Sequence, residues 1–361
     1  MLWGTRGRDR RMPDTPVKIG FLGGGMIAQI AHLPFYLGDP RCEVRGIAES
    51  RPSLVDALTE KFGVKHIVSN HRALLDDRDI QAIVVSVPRA ATGPLTLEAL
   101  EAGKHVMAEK PMAHSVEQAQ RLVEAAARRK LVYAVGFMKR YDPGVQAAKL
   151  LVDEVLGDGR LGRMLLARFY DFSNAYAVAP PPHVRPGESR PERFVTWPLF
   201  PDWLPEAYRS VYPWFINVAS HDINLLRLFF PHDVEVMSAH CDGSSSVAAT
   251  LRKGDVTIVL EVTKSAAGRW IEGVEFLFEH GRIQVLIPSP MATDKVSEVW
   301  VDDARRGLVG ERVTVGAGWS FARQATGFVD ALTGTAAPAT SGEEGLADMV
   351  LTEQIWRRMT V

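Results

Sequence analysis

The chain has 361 residues, 46% of them hydrophobic and 24% charged, with a formal net charge of −1 and only two cysteines. That length suits about two domains with a sizeable core. The near-neutral charge gives no drive toward nucleic acid or an anionic membrane, Cys42 and Cys241 lie too far apart in sequence for a disulfide framework or thiolate metal cluster, and no apolar run reaches the ~18 residues of a membrane span. A cytoplasmic protein without metal, membrane or nucleic-acid partners is expected.

Residues 1–16 are basic, lack the apolar core of a signal peptide and are expected to form a disordered tail. Val17 to Leu22 is a short apolar run between Pro16 and Gly23, which suits a strand buried on both faces. Gly23-Gly24-Gly25-Met26-Ile27-Ala28 then fits G-x-G-x-x-[GA]. Gly23 permits a tight turn, Gly25 lets the backbone approach a pyrophosphate, and Ala28 allows close helix–strand packing. A helix starting here would turn free N–H groups toward phosphates, so Met26 and Ile27 join Gly23 and Gly25 as candidate cofactor residues.

A second strand, "CEVRGIAES", reaches Glu49, 24 positions after Gly25 and near the ~20 expected for an acidic residue on the adenosine ribose. Arg51 follows two residues later and would instead suit a 2′-phosphate. NAD is therefore the expected cofactor, with NADP the alternative. "IQAIVVSVP" is a third strand, bringing Val87 and Pro88 to the same edge, and "GKHVMAEKP" a fourth, bringing Glu109 and Lys110; "LVYAVGF" is a fifth. Helical stretches separate them, and alternating strands and helices predict a Rossmann-type, doubly wound parallel sheet over residues 17–138.

The rhythm then changes. A helix, "VQAAKLLVDEVL", and a strand, "GRMLLARFYDF", lead into an irregular stretch from Asn174 to Pro213, long enough to suggest a lid. "WFINVASHDINLLRLFF" reads as a helix, and five strand candidates follow between Val234 and Pro288. Residues 139–361 are thus expected to form an α+β domain with an open, mostly antiparallel sheet. Asn217 and His221 are four apart and share one helix face. An unperturbed histidine accepts a hydroxyl proton at neutral pH more readily than a lysine, and Asn217 would orient it or the substrate. Tyr141, after the fifth strand, and Tyr212, in the long stretch, are candidate substrate contacts.

"GGGMIA", "AEKP" and "NVASHDINLLRLF" together make the chain from Val17 onward resemble the glucose–fructose oxidoreductase, inositol dehydrogenase and MocA family. The resemblance implies a nicotinamide cofactor and a sugar, cyclitol or nucleotide-linked sugar as substrate. It implies a catalytic Lys110 beside the nicotinamide, and a homodimer or homotetramer associated through the second sheet, whose apolar residues exceed what its helices need. It also implies aspartates where this chain has Asn217 and Asn224, which puts a Lys-Asp-His proton relay in question here. Two other readings stay open: a glycoside-cleaving relative that retains its dinucleotide, and a non-catalytic dinucleotide-sensing regulator.

Overall fold

The computed structural model describes residues 15–172, 178–189, 194–265 and 268–360. The expected N-terminal tail lies outside these residues except for its last two, and parts of the 174–213 stretch lie outside them as well. The first unit is a six-stranded parallel sheet, β1 (Val17–Leu22), β2 (Cys42–Ala48), β3 (Ile67–Val68), β4 (Ala82–Val85), β5 (His105–Ala108) and β6 (Tyr133–Val135), in the order β3-β2-β1-β4-β5-β6. The order reverses at β1 and β4, which opens a crevice at the strands' carboxyl ends. The two-residue β3 carries no apolar run and escaped the sequence reading.

Helices α1 (Leu33–Gly38), α2 (Pro52–Phe62), α3 (Arg72–Asp76), α4 (Arg89–Glu101) and α5 (Val116–Arg129) connect these strands. The first begins irregularly. Ala28–His32 has wide π-helical turns before the chain tightens into α1. Such insertions cluster at functional sites, and this one holds the buried His32, whose Nε2 lies 2.8 Å from Glu109 Oε1.

The second unit holds α6 (Pro143–Asp158), β7 (Met164–Asp171), α7 (Tyr212–Phe229), β8 (Glu235–Cys241), β9 (Ser246–Lys253), β10 (Val256–Thr263), β11 (Glu272–Phe278), β12 (Gly281–Leu286), β13 (Glu298–Asp303), β14 (Leu308–Arg312), α8 (Ser320–Leu332), α9 (Gly342–Arg357) and β15 (Met359–Thr360). Its sheet order is β14-β13-β12-β11-β7-β10-β9-β8-β15, antiparallel except where β7 meets β10 and β8 meets β15. One face is apolar. Phe169, Phe276 and Ile283 are fully buried there, and Phe229 of α7 packs on Phe276 with ring centroids 4.6 Å apart.

The other face is charged. Arg168 pairs with Glu261 at 2.6 Å, and Arg282 with Asp302 at 3.0 Å and Glu275 at 3.3 Å. Half-exposed Val259 and Trp300 lie in the same cross-strand row. Exposed Leu277 and Leu286 share this face with the ion pairs, so apolar and charged side chains are interspersed on it.

The two units interlock through the C-terminal helices. Ala325, Phe328 and Val329 of α8 are buried in the core around β1, with Phe328 edge-on to Tyr36. Thr340 covers the free edge of the parallel sheet: its carbonyl accepts from Val135 N–H at 2.8 Å, and its hydroxyl donates to the Val135 carbonyl at 2.7 Å. Among the described residues, no helix is long and apolar enough to cross a membrane.

Candidate active site

A cavity of about 560 Å³ opens between the carboxyl ends of β1, β4, β5 and β6 and the apolar-face helix α7. Ile27, Val87, Glu109 and Lys110 line it from the first unit, and Asp171, Asn217, His221 and Trp270 from the second. The chain leaves β5 through Glu109, and a cis bond joins Lys110 to Pro111. Lys110 Nζ crosses to α7 and donates to the Asn217 carbonyl at 2.8 Å and to Asn217 Oδ1 at 3.3 Å. Burial pulls the Lys110 ammonium down to about 8, helped by Lys139 and Arg89 and opposed by Glu109.

His221 is buried one turn further along α7, and its ring stands edge-on to Phe137. Among the described residues its Nδ1 has no hydrogen-bond partner. Burial, then Lys110 and Lys139, hold the imidazole well below its ordinary pKa. The expectation that His221 titrates near neutrality is therefore corrected. Burial and two nearby ammonium groups disfavour a further positive charge on the imidazole.

Behind Asp171 and Lys139, which line the cavity, lies a cluster of buried carboxyls. Oxygens of Asp171, Asp222 and Glu272 lie within 4.8 Å of one another, all buried. Glu272 Oε1 accepts from Lys139 Nζ, and Glu272 Oε2 from Trp270 Nε1 at 2.9 Å. Burial opposes the Lys139 charge, but Glu272, Asp222 and Asp171 outweigh it and hold its pKa above the ordinary value. Asp222 is held well above the carboxylate range, first by burial and then by Glu272. Trp270 and the carboxyls of this cluster escaped the sequence reading. They come from β7, α7 and the start of β11, and no local pattern joins them.

Several expected residues stand elsewhere. The Tyr212 hydroxyl is buried and donates to the His114 carbonyl at 3.1 Å, while its ring packs on Trp356. The Tyr141 hydroxyl accepts from Ala339 N–H at 3.2 Å, and its ring lies where a side chain at Gly327 would be. Neither tyrosine lines the cavity, so their expected substrate contact is corrected: both hydroxyls bond backbone groups. Pro88 is exposed at the start of α4, and half-buried Met26 packs beside Trp319 and Phe321. Asn224 accepts from Arg140 Nε at 2.9 Å and donates to Asp348 at 2.6 Å, joining α7 to α9 rather than to the cavity.

At the cofactor edge Gly23 has φ +94°, and a Cβ there would lie 2.3 Å from the Ser86 carbonyl oxygen. Only glycine fits that turn. The Glu49 carboxylate accepts from Gly24 N–H at 3.1 Å and from Arg51 Nε and Nη2 at 2.8 and 2.7 Å. Burial alone would raise its pKa, but the Arg51 bonds lower it below the ordinary value. A glycine turn too tight for side chains, with an ionised acid at the end of β2, is the cradle that a dinucleotide requires.

Residues 17–137 match the oxidoreductase family with an NAD-binding Rossmann fold. Across 96% of this chain and 98% of the other, the fold superposes with a TM-score of 0.74 on a 3-ketoreductase from Actinomadura kijaniata solved with NADP and TDP-benzene, at 24% identity. The first unit of the chain is thus similar to the dinucleotide-binding half of the glucose–fructose oxidoreductase, inositol dehydrogenase and MocA family. Levoglucosan dehydrogenase of Pseudarthrobacter phenanthrenivorans is 31% identical over 159 residues, 42% of this chain and 40% of that protein. The dTDP-3,4-didehydro-2,6-dideoxy-alpha-D-glucose 3-reductase of Actinomadura kijaniata is 33% identical over 168 residues, 46% of this chain and 47% of that one. The matched stretch thus spans less than half of these relatives' length.

Position 217 carries an uncharged amide beside the lysine. Asn217→Asp would place a carboxylate at the Lys110 ammonium, favour its charged form and raise its pKa. The pH–rate profile should move upward by about one pH unit. A limb that stays in place would show that Lys110 does not set it.

Proposed function

We propose that this chain is an NAD-dependent oxidoreductase that interconverts a hydroxyl and a keto group on a sugar, a cyclitol or a nucleotide-linked sugar. The observation that carries this reading is the Lys110 ammonium, buried at the end of β5 and drawn down to about 8. It shares one cavity with the cofactor edge and with polar groups of the second unit. The relatives support the substrate class, since their names specify a levoglucosan dehydrogenase, a dTDP-sugar reductase and, in Salmonella paratyphi B, an inositol 2-dehydrogenase.

When bound, the nicotinamide supplies the hydride acceptor or donor. This chain's residues do the rest. Neutral Lys110 Nζ takes the proton of the substrate hydroxyl, and the Asn217 carbonyl holds that nitrogen in place. In the reverse direction the ammonium donates to the carbonyl oxygen as negative charge develops there. Neutral His221 offers a ring nitrogen to the same oxygen or its neighbour. Asp171 and Lys139 present an acceptor and a donor suited to further hydroxyls, and the Trp270 ring gives an apolar wall. Glu49 accepts from a ribose 2′-hydroxyl and repels a 2′-phosphate.

A cytoplasmic location fits the two free cysteines. A homodimer through the open face of the second sheet fits its half-exposed charge ladder and Trp300. Light scattering at micromolar concentration should return a mass twice that of the chain or a multiple of it; the mass of a single chain would refute the dimer.

Lys110→Ala should lower kcat by about 100-fold or more, with dinucleotide affinity changed little. Oxidation needs the neutral amine, so its rate should rise with pH through about 8 and then level; reduction needs the ammonium and should fall over the same window. Both are read from absorbance at the nicotinamide band with a panel of sugars and cyclitols. Oxidation flat between pH 6 and 10 would remove Lys110 from the proton path. A higher kcat/KM with NAD(H) than with NADP(H) is expected, and the reverse order would overturn the reading of Glu49.

A further inference from the structure

The segment between β7 and α7 lies back over the cofactor edge of the first sheet. Val184 N–H donates to Gln29 Oε1 at 2.9 Å, and its carbonyl accepts from Gln29 Nε2 at 3.1 Å, next to the glycine turn. Lys61 Nζ donates to the Pro182 carbonyl at 2.8 Å. Between these clasps Ser53 N–H donates to Glu188 Oε1 at 3.0 Å, and Gly187 N–H donates to Ser53 Oγ at 3.1 Å. Ser53 is the second residue of the 11-residue α2, which starts three positions after Glu49. A carboxylate distant in sequence is thus set on the N-terminus of the helix that follows the ribose-binding acid. Hydrogen bonds from Ser53, and the pull of Arg51, hold Glu188 ionised below the ordinary carboxylate range.

A 2′-phosphate on the adenosine ribose would need N–H donors and a guanidinium at this edge. Those donors are committed here to carboxylates. Ser50 N–H, Arg51 N–H and Arg51 Nε all donate to Glu49 Oε1, Arg51 Nη2 donates to Glu49 Oε2, and Ser53 N–H donates to Glu188. A phosphate arriving here would have to displace two anions and then face both of them.

We propose that Glu188 is a second specificity-determining carboxylate, which acts with Glu49 to exclude a 2′-phosphate and select the dinucleotide with a free 2′-hydroxyl. The proposal deepens, and rests on, the dinucleotide reading of the site. It assigns part of cofactor choice to a segment outside the parallel sheet, on the chain that leads to the substrate helix.

The test is fluorescence titration of the full-length protein with NADH and with NADPH, for wild type, Glu188→Gln and Glu188→Ala. Glutamine keeps an acceptor for Ser53 N–H and removes only the charge. In E188Q the ratio of the NADPH to the NADH dissociation constant should fall about tenfold, the order expected on removing one like charge at a partly exposed site. A clasp with a merely structural role would leave E188Q like wild type and weaken both dinucleotides equally in E188A, and that result overturns the proposal. Wild-type protein that bound neither dinucleotide would overturn the underlying reading instead.

Discussion

The Lys110 ammonium leaves the end of a parallel strand and donates to a main-chain carbonyl of a helix in the other unit, 2.8 Å away. The rest of the site is arranged around that crossing. To hold a lysine there, the cleft must close around it, and closure removes the water that would otherwise stabilise the charge. The cost of that desolvation is what brings the amine within reach of neutral pH. The His221 imidazole is lowered first by its own burial and then by this ammonium and that of Lys139, so the closed cleft perturbs both groups.

The cluster of carboxyls follows the same logic with the signs reversed. Three carboxyls and one lysine share a buried space, and Lys139 cannot neutralise all of them. Burial, and then the neighbouring Glu272, push the Asp222 carboxyl upward. Of this cluster, Asp171 and Lys139 line the cavity. The glycine turn and Glu49 form the opposite end of the crevice. There the segment after β7 adds its own hydrogen bonds to Gln29 and Ser53, so that cofactor edge and substrate helix are joined by one stretch of chain.

Interlocking of the two units makes this geometry stiff. Phe328 of α8 completes the core of the first sheet, and Trp356 of α9 packs on Tyr212 and Phe215 of the substrate helix. The hydrogen bonds from Arg140 to Asn224 and from Asn224 to Asp348 tie that helix to the same C-terminal element. The position of His221 thus depends on residues more than a hundred positions further along the chain.

The sequence by itself determined the Rossmann half almost completely. A buried parallel strand needs a continuous apolar run, and a phosphate turn needs glycines at set offsets; both are local requirements that a short window of sequence displays. For the same reason the E-K-P lysine and the helix bearing Asn217 and His221 were legible as motifs. What the tertiary structure decided is everything that depends on distance between elements. It turned the hydroxyls of Tyr141 and Tyr212 toward backbone groups and made Asn224 a packing residue. It gathered Asp171, Asp222, Glu272 and Trp270 beside Lys139. It also lowered the His221 and Lys110 pKa values, because a pKa is set by burial and neighbouring charge, and a linear sequence specifies neither until the chain has folded.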